Sequence, residues 1–562
     1  METLPHLLAV SVAAGRTGPG PDGGPYRPWP ATAGLFQRPR DLSWVGLAPD
    51  DLHVRLTTGE QLAEISAPFA AVTTNPDAGG LTVATDHLGL QQVYGIQADG
   101  WAAVSTSARR LSLLAGQSLD RRALGVYRLV GFHLGEGTAF CGVSTLRAGH
   151  RWHLADGTLS ELAYPAARAE PERLSADEGV RRCADMLRAN LEQCLDEFPD
   201  AVFQLSGGLD TRLLLAAIPP SRRKGLRALT LRSAGSADDT VAALLAERYG
   251  MSHDIIDLGG LDRLAPHEIH ELVHSAALAN EQICSPLQLG MIEWVEAEAV
   301  RRYHGAARID GIGGEITRGM YHSLQRQHPA VTPELVERLA RWRIFSRDAV
   351  DSACLEPGFA AESETAALER LQATFAGYDM DWLSATDAFW YTIRSHRAVG
   401  AIQTQAARHR PVVSPFTHPR FVAIAAALPA EAKRGSRFNA MVVAALDPEL
   451  AAIPMDTGLP PSALTATRPM VLLRTGRDYA HRVSVKVKQR ISRDGVSSSV
   501  PLTLTRGLVA HWRDNPELLE PVAATGLLSR PWLAAMLGGE EFPAPATAAF
   551  VAILEAATSS RS

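Results

Sequence analysis

The first part of the chain alternates short apolar runs with turn-forming residues. Up to about residue 165, stretches of Val, Thr and Ala are interrupted by Gly, Pro, Asn and Asp, as in FAAVTTNPDAGGLTVATDHLG and GHRWHLADGTL. This punctuation predicts strands joined by turns, and therefore a β-rich domain. We expect the apolar segment Leu4–Ala14 to form a buried first strand and the Gly/Pro-rich segment Gly15–Pro30 to form an exposed loop.

The pattern changes after Ala163–Leu174, a segment rich in Pro and charged residues that is typical of a linker. Ser175 and Glu178 have the spacing of a helix capping box. Apolar residues from Val180 to Phe198 then recur on one helical face, which predicts a helix of about 23 residues. This helix would open a second domain.

Apolar runs and helical stretches alternate strictly in the next part of the chain. The runs are AVFQL, LRALTL, HDIIDL and ARIDGIGG, and helices are expected from Thr211 and over Asp238–Tyr249. Such alternation predicts a parallel sheet covered by helices on both faces, whose ligands bind where strands end and helices begin. From about residue 330 to 562 the pattern is predominantly helical without a repeat, and we interpret it as a continuation of the second domain.

Composition narrows the class of protein. The 562 residues are 46% hydrophobic and 21% charged, which is typical of a folded chain with two or three domains rather than a disordered or collagenous one. The net charge of -6 disfavours a general nucleic-acid-coating role. Five widely spaced cysteines without a C-x-x-C pair indicate neither a disulfide framework nor a zinc knuckle. No apolar run approaches the roughly 20 residues of a membrane span. We expect a cytoplasmic protein with no nucleic-acid or membrane partner.

The most informative segment is the string S-G-G-L-D-T, Ser206–Thr211, between an apolar run and an apolar helix. Glycines at such a turn let a phosphate approach the backbone, and successive N–H groups at a helix start form an anion cradle. Asp210 would repel a bare phosphate, so a divalent cation is expected between them. The string lacks the lysine of a Walker A loop. It predicts pyrophosphate binding for adenylyl transfer, and the alternative is an ordinary turn.

This string resembles the pyrophosphate loop of the asparagine synthetase superfamily of AMP-forming ATP pyrophosphatases. Further segments resemble the same family in the same order. They are DHLGLQQVYG (86–95), GTAFCGVSTLRAGHRWHL (137–154), SADDTVAALLAERYGMSHDII (236–256), RIDGIGGEITRGMY (308–321) and SPFTHPRFVAIAAALPAEAK (414–433). The resemblance implies an α/β protein with a degenerate, Ntn-hydrolase-like α+β sandwich domain over residues 1–165. A PP-loop ATP-pyrophosphatase domain with a parallel sheet and a largely helical C-terminal part would follow over residues 175–562.

The resemblance also implies site residues for ATP and Mg²⁺. Leu205 and Leu231 would contact adenine or ribose, and Asp310 with Gly311 would close the nucleotide site. The pyrophosphate cradle would consist of Ser206, Gly207, Gly208, Leu209, Asp210 and Thr211. Asp210 and Glu315 would hold Mg²⁺, with Glu315 standing where the family has aspartate. The alternative is that Asp310 and Glu315 are solvated loop carboxylates.

The sequence departs from the family at its amidotransferase end. Glutamine-hydrolysing members use an N-terminal cysteine, whereas this chain has Glu2 after the initiator methionine, and Cys141 is expected in the core. The first domain is therefore expected to be a structural relic or a substrate-recognition platform, as in β-lactam synthetase and the lasso-peptide macrolactam synthetases. The amine would come from a source other than glutamine.

Two further departures concern the active centre. Ile312 stands where family members carry a catalytic glutamate or tyrosine, and isoleucine cannot transfer a proton. Met455 or Asp456 stands where they carry a lysine that would neutralise phosphate charge. One expected substitute is the pair Arg394 and Arg397, whose permanent charges suit the stabilisation of an oxyanion or of pyrophosphate. Alanine at either position should then sharply reduce ATP–pyrophosphate exchange; the alternative is a surface helix with ordinary arginines.

A basic stretch, Arg468–Arg493, offers a second set of substitutes. It contains eight Lys and Arg residues against one acidic residue, Asp478. It is either a solvated helix face, a site for an acidic partner, or a source of Lys486 or Lys488 for the phosphates.

The leading functional hypothesis is an ATP-dependent, AMP-forming amide synthetase, a carbon–nitrogen ligase. It would adenylate a substrate carboxylate and pass it to an amine other than glutamine-derived ammonia, which the substrate carries or another molecule supplies. An intramolecular or peptide-modifying reaction of natural-product biosynthesis, of the macrolactam or β-lactam type, is the form expected. Two alternatives stay open: a glutamine- or ammonia-dependent asparagine synthetase-like enzyme, and a nucleotide-binding pseudoenzyme or regulatory protein. A homodimer or a pathway-enzyme partner is also left open.

Overall fold

The first part of the chain forms two antiparallel sheets. The computed structural model describes residues 7–13, 34–36, 49–74, 80–165, 173–281, 283–322, 329–345, 349–465 and 500–559. The strands are β1 (Leu8–Val12), β2 (Gly34–Phe36), β3 (Ala70–Thr74), β4 (Leu81–Thr85), β5 (Tyr94–Ala98), β6 (Trp101–Ser105), β7 (Ser144–Thr145), β8 (His150–Ala155) and β9 (Thr158–Ala163). One sheet has the order β1-β6-β5-β7 and the other β2-β3-β4-β8-β9. The predicted β-rich N-terminal part, with a first strand inside Leu4–Ala14, is confirmed; the predicted loop Gly15–Pro30 lies outside the described residues.

The two sheets face each other across an apolar core. Alternate residues of both, among them Val83, Val104 and Trp152, form one buried cluster. The approach is close at Gly95 of β5, because a Cβ there would lie 2.7 Å from the Trp152 ring. Three helices accompany the sheets, Pro49–Thr58, Ala108–Ala115 and Arg121–Val130. The first packs on β3 and β4, and the second on β5 and β6, so helices flank a two-sheet sandwich.

The second part of the chain contains the predicted parallel sheet. Its strands are β10 (Val202–Gln204), β11 (Arg227–Arg232), β12 (Ser252–Asp257), β13 (Arg308–Ile309) and β14 (Val412–Val413). The order is β12-β11-β10-β13-β14, and all the pairs are parallel. Four of these strands are the predicted apolar runs, whereas β14 lies in the part expected to be helical. The chain runs outward from β10 to β12 and then returns to β13 on the other side of β10, so the strand order reverses between β10 and β13.

Helices make up most of the remainder, as the pattern predicts. The predicted helix after Ser175 spans Ala176–Glu197, and its N-cap hydroxyl accepts from the Glu178 backbone N–H at 3.2 Å. The helix after the S-G-G-L-D-T string begins at Leu209, two residues before the expected start. The α-helices of this part are Ala176–Glu197, Leu209–Ala217, Pro220–Arg223, Asp238–Tyr249, Pro266–Ala279, Pro286–Tyr303, Pro333–Leu339, Pro357–Ala376, Trp382–Phe389, Gly400–Ala407, Pro419–Ala427, Ala430–Lys433, Arg437–Leu446, Pro448–Ala452, Pro461–Thr465, Val500–Asp514, Glu520–Ala524, Arg530–Gly538 and Pro545–Thr558. Wider π-type turns occur at Ala340–Ile344 and Trp390–Val399, and 3₁₀ turns at Leu258–Arg263, Gly314–Thr317, Ser352–Cys354, Pro415–Thr417, Arg434–Ser436 and Pro516–Leu519; the first part of the chain has a 3₁₀ turn at Leu62–Glu64.

The two parts of the chain share one continuous core. The Tyr127 ring, from the first part, stacks on Phe550 at 6.2 Å, and Phe550 stacks on Phe359 at 6.4 Å. Gly125 lies against Ser363, where a Cβ would come within 2.9 Å of the hydroxyl oxygen. The sandwich is therefore held firmly against the helical part by apolar packing.

Two further observations concern the whole described chain. All five cysteines carry free thiols, four of them buried and Cys141 half-buried. Among the residues described, none of the helices combines the length and the apolar character needed to cross a membrane.

Candidate functional site

A cavity of about 790 Å³ opens at the carboxyl end of the parallel sheet, beside β10 and β13. This is the position at which the strand order reverses, where ligands of such sheets bind because the loops diverge and leave a crevice. Its walls come from the loops after β10, β11 and β13 and from the segments around Ser436 and Met455. The lining residues are Gln204, Leu205, Ser206, Gly208, Leu209, Asp210, Thr211, Thr230, Leu231, Asp238, Arg308, Asp310, Gly311, Ile312, Glu315, Arg318, Gly435, Ser436, Met455, Asp456, Thr457, Leu459 and Leu464.

The structure brings nearly all the sequence-predicted nucleotide and metal residues to this one cavity. Of that set only Gly207 is absent from the wall, because its backbone is engaged on both sides. Its N–H donates to Asp238 Oδ1 at 2.9 Å, and its carbonyl accepts from the Asp456 N–H at 3.2 Å. A Cβ at Gly207 would lie 3.0 Å from that of Asp456. The close approach of three segments therefore requires a small residue here.

The turn itself is tied together by hydroxyl groups. Ser206 Oγ lies 3.0 Å from Thr211 Oγ1 and accepts the Gly208 N–H at 3.2 Å. The Ser206 N–H donates to Thr211 Oγ1 at 3.2 Å. Gly208 is the N-cap of the helix Leu209–Ala217 and offers no side-chain cap. Because Gly208 and Leu209 line the cavity, the positive end of the helix borders it. The turn therefore presents hydroxyl groups and a helix start to an anion.

Asp210 stands on the first turn of that helix and faces the loop after β13. Its Oδ2 lies 2.9 Å from Arg318 Nη1, and its Oδ1 accepts from Asn439 Nδ2 at 3.3 Å. Gly314 lies directly against the carboxyl group, because a Cβ there would come within 2.6 Å of Asp210 Cγ. Burial raises the pKa of Asp210, although Arg318 and Asn439 partly offset the rise.

Glu315 is the second carboxylate of this corner. Burial raises its pKa, and the nearby charge of Asp210 raises it further. Two carboxylates that repel each other across a cavity are the hard oxygen ligands that Mg²⁺ prefers, and a cation between them would remove the repulsion. Asp210 and Glu315 therefore fit the metal role that the resemblance implies for them.

Asp310 is not a solvated loop carboxylate. It is buried, accepts from Ser414 Oγ at 2.6 Å and from the Ile312 N–H at 3.1 Å, and its Oδ2 lies 2.9 Å from Arg308 Nε. Arg308 also pairs with buried Glu296, which in turn binds Arg410. Burial alone would raise the pKa of Glu296, but the two guanidinium groups hold it below its ordinary value. This buried charge network fixes the loop after β13.

Residues 453–456, called the roof segment below, cover the Ser206–Thr211 turn from the opposite side. The buried Arg212, on the helix that begins at Leu209, donates to the Ile453 carbonyl and, at 2.9 Å, to that of Pro454. Met455 and Asp456 follow and line the cavity, as does Ile312. The three residues that the sequence resemblance sets against an acid–base group and a lysine are therefore at the cavity, and none of them carries a positive charge.

The structure does not bring Arg394 and Arg397 to this cavity. Both lie on the π-type segment Trp390–Val399. The Arg394 guanidinium lies over the rings of Phe132 and Trp390, 5.5 and 5.2 Å from their centroids. Arg397 is 1% exposed and donates to Gln92 Oε1 at 2.6 Å and to the Gly137 carbonyl. The alternative of a surface helix does not describe Arg397, because it is a buried contact to the first part of the chain.

Of the described residues, two arginines line the cavity; Arg308 is paired with Glu296 and Asp310, and sequence reasoning missed the other, Arg318. Beside its pairing with Asp210, it donates from Nε to Ser436 Oγ at 2.9 Å. The sequence signal that could have indicated Arg318 is its position three residues after Glu315, within the segment 308–321 that resembles the family. Lys433 lies close to this wall in sequence, but its ammonium group is buried against Asp387 and the Tyr391 hydroxyl, each at 2.8 Å. No lysine lines the cavity among the residues described here.

The basic stretch Arg468–Arg493, with Lys486 and Lys488, lies outside the described residues, as does Glu2. No protein-family model matches the chain, and no curated protein matches it significantly. The family resemblance therefore rests on the short motifs and on the arrangement of the residues they contain.

Proposed function

We propose that the protein is an ATP-dependent, AMP-forming amide synthetase. A substrate carboxylate would attack the α-phosphorus of ATP, giving an acyl-adenylate and pyrophosphate, and an amine would then attack the acyl carbon and displace AMP. The amine would belong to the same small molecule or peptide, as in macrolactam or β-lactam formation.

One observation carries this proposal. The hydroxyl-tied turn Ser206–Thr211 and the carboxylate pair Asp210 and Glu315 border the same cavity at the reversal of a parallel sheet. A phosphate-binding turn without the P-loop lysine, next to two ligands for a hard cation, suits the departure of pyrophosphate. Mg²⁺, when bound, would neutralise charge on the phosphate oxygens.

The remaining cavity residues would divide the other tasks. Leu205, Leu231 and Leu464 supply apolar surface for adenine. Ser206 and Thr211 would donate to pyrophosphate oxygens. The guanidinium of Arg318 stands beside the carboxylate pair and would offset charge that develops on the phosphates, in place of the family's lysine.

The finer fold assignment belongs to the same proposal. The sandwich of two antiparallel sheets flanked by helices is consistent with a degenerate Ntn-hydrolase-like domain, residues 1–165. The five parallel strands with the glycine turn after β10 are consistent with a PP-loop pyrophosphatase domain, residues 175–562. We further propose a cytoplasmic enzyme without nucleic-acid or membrane partners; a homodimer or a pathway-enzyme partner stays open.

A nucleotide-binding regulatory protein is the second candidate. It is favoured by Ile312, which faces the cavity where a proton-transferring group is expected, and by Asp456 at the roof. The same cavity would then bind the nucleotide without catalysing adenylation. An asparagine synthetase-like enzyme supplied with free ammonia differs from the first proposal only in its amine.

ATP–pyrophosphate exchange separates these candidates. Mg²⁺-dependent ATP binding is measured first by calorimetry, and exchange is then followed with panels of amino acids, β-amino acids and peptides. Exchange that requires one carboxylate class and is lost in Asp210→Asn supports the synthetase. Tight binding without exchange across the panels favours the regulatory protein, and absence of Mg²⁺-dependent binding contradicts both.

A further inference from the structure

A second group of ligand-type side chains lies apart from the residues that line the cavity. His270 and His274 are four residues apart on the helix Pro266–Ala279, so they project from the same face. Glu555 approaches them from the helix Pro545–Thr558. Ligand atoms of the three side chains all lie within 4.8 Å of one another.

Both imidazoles converge on a single carboxylate oxygen. His270 Nε2 lies 2.7 Å from Glu555 Oε1, and His274 Nδ1 lies 3.7 Å from the same atom. In a tetrahedral zinc site with bonds of about 2.0–2.2 Å, neighbouring ligand atoms are roughly 3.3–3.6 Å apart. One of the two distances is already close to this value, and the other requires an opening of less than about 1 Å.

A hydrogen bond to its second oxygen fixes the orientation of the Glu555 carboxylate. Glu555 Oε2 accepts from the buried Trp512 Nε1 at 2.9 Å, which leaves Oε1 to face the histidines. Outer hydrogen bonds of this kind orient metal ligands. The three side chains are 13%, 17% and 5% exposed, so the group is largely shielded from water. The His511 ring stacks on that of His270 with centroids 4.3 Å apart and supports its orientation.

The sequence around these residues has a matching pattern. His270-Glu271-Leu272-Val273-His274 reads H-E-x-x-H, a spacing by which one helical face supplies two zinc ligands. A hydrogen-bonded histidine–glutamate pair would need only one imidazole. The second imidazole on the same oxygen, together with the carboxylate fixed by Trp512, favours a metal site.

We propose that His270, His274 and Glu555 bind a divalent transition metal of the zinc class, with a water molecule completing the coordination. The ion would join the helix Pro266–Ala279 to the helix Pro545–Thr558 and so stabilise the C-terminal helical part. The site is independent of the proposed adenylation, and its test does not use catalytic activity.

The test is metal binding by the full-length, tag-free chain after treatment with EDTA. Titration with Zn²⁺ by calorimetry should give one equivalent bound, and Co²⁺ should develop the visible absorption bands of a tetrahedral site. Zn²⁺ should also raise the Tm. His274→Asn and Glu555→Gln should each weaken Zn²⁺ binding by at least about 100-fold and abolish the Co²⁺ bands, because three protein ligands become two.

The matched control is His267→Asn, an exposed histidine on the same helix, which should bind Zn²⁺ as the unaltered chain does. Trp512→Phe keeps all three ligands and should weaken binding by about tenfold, because only the support of the carboxylate is lost. If Glu555→Gln fails to fold by circular dichroism, His274→Asn decides the question. The proposal is overturned if the unaltered chain binds no stoichiometric Zn²⁺, or if folded His274→Asn retains its affinity and the Co²⁺ bands.

Discussion

Asp86 and Asp210 are shielded aspartates in two parts of the molecule, and each lies in or beside a glycine-containing turn that follows a strand. Asp86 is fully buried at the start of its turn, whereas Asp210 is half-buried just after its turn, on the helix that begins at Leu209. Asp86 accepts four backbone N–H bonds of 3.0–3.1 Å, from Phe69, Leu88, Leu90 and Gln91. Asp210 accepts only side-chain bonds, and it stands beside a second carboxylate at an open cavity.

Burial raises the pKa of both aspartates, so burial alone does not separate them. Their partners do. The four N–H donors saturate the Asp86 carboxylate and leave nothing for a ligand, whereas each Asp210 oxygen has one side-chain partner in the described part of the chain and the carboxylate lines the cavity next to a like charge. A saturated carboxylate organises a turn, and an under-saturated pair at a cavity favours a cation.

The turn that Asp86 organises contacts the second part of the chain. Gln92 Nε2 donates to the Gly89 carbonyl at 2.7 Å and to the His396 carbonyl at 2.9 Å, and Gln92 Oε1 accepts from Arg397. In this chain the motif that resembles an amidotransferase hairpin therefore serves as a docking contact.

The largest expected effect is that of Asp210→Asn on ATP–pyrophosphate exchange. Loss of one anionic ligand should reduce exchange by about 1000-fold, equivalent to about 4 kcal/mol of transition-state free energy. The Tm should change little, because the amide keeps the contact to Asn439 and the repulsion by Glu315 is relieved. Unchanged exchange in a folded variant would contradict the assignment of this carboxylate.

Asp86→Ala should have the opposite profile. Four buried N–H groups would lose their acceptor, and we expect the free energy of unfolding to fall by at least about 3 kcal/mol. Denaturant unfolding measures this loss, with Asp99→Ala, at a turn between β5 and β6, as the control. A stability close to that of the unaltered chain would show that Asp86 is not the organiser of the turn.

Glu281 gives a third case, a buried carboxylate that is not among the residues lining the cavity. Burial raises its pKa to about 7, although the Arg109 N–H, which donates at 3.0 Å, partly offsets the rise. Because the folded state favours the neutral acid, this group stabilises the fold below about pH 4.5 and loses that contribution as the pH rises through about 7. The free energy of unfolding of Glu281→Gln should therefore fall by up to about 3 kcal/mol less than that of the unaltered chain as the pH rises.

Chemical unfolding at pH 5 and at pH 8 checks this, with the exposed Glu271→Gln as the control. The unaltered chain should lose more stability between these pH values than Glu281→Gln does. Equal losses in the two proteins would mean that Glu281 is ionised in both states.

The smallest effect on chemistry is expected for Arg397→Gln. The guanidinium contacts Gln92 and the Gly137 carbonyl and does not line the cavity, so its loss should lower the free energy of unfolding by about 2 kcal/mol. Exchange should stay within about twofold. If exchange by the folded variant falls more than tenfold, Arg397 acts on the active centre in spite of its position.

The sequence predicts this fold well where the signal is local. Ser175 marks the start of a long helix, and the helix Asp238–Tyr249 has the predicted bounds. The strand Val412–Val413 was missed because two residues carry no periodicity, and its pairing depends on β13, about a hundred residues away in the chain.

The same contrast holds for the site. The glycine string placed the turn, because its residue types have few other uses at the junction of a strand and a helix. The cation beside the carboxylates was predicted at Arg394 and Arg397 and not at Arg318, because the direction of a long arginine side chain depends on partners that are distant in the sequence. Arg318 is directed by Asp210 and Ser436, whereas Arg397 is directed by Gln92, and none of these contacts leaves a local pattern.

Arg212 joins the helix that follows the glycine turn to the roof segment, because its guanidinium donates to two backbone carbonyls of that segment. For protein engineering, these two stretches form a single exchangeable module. A chimera that takes a new roof segment from another protein to alter substrate choice must also take the matching helix. Otherwise the hydrogen bonds between the two segments are lost.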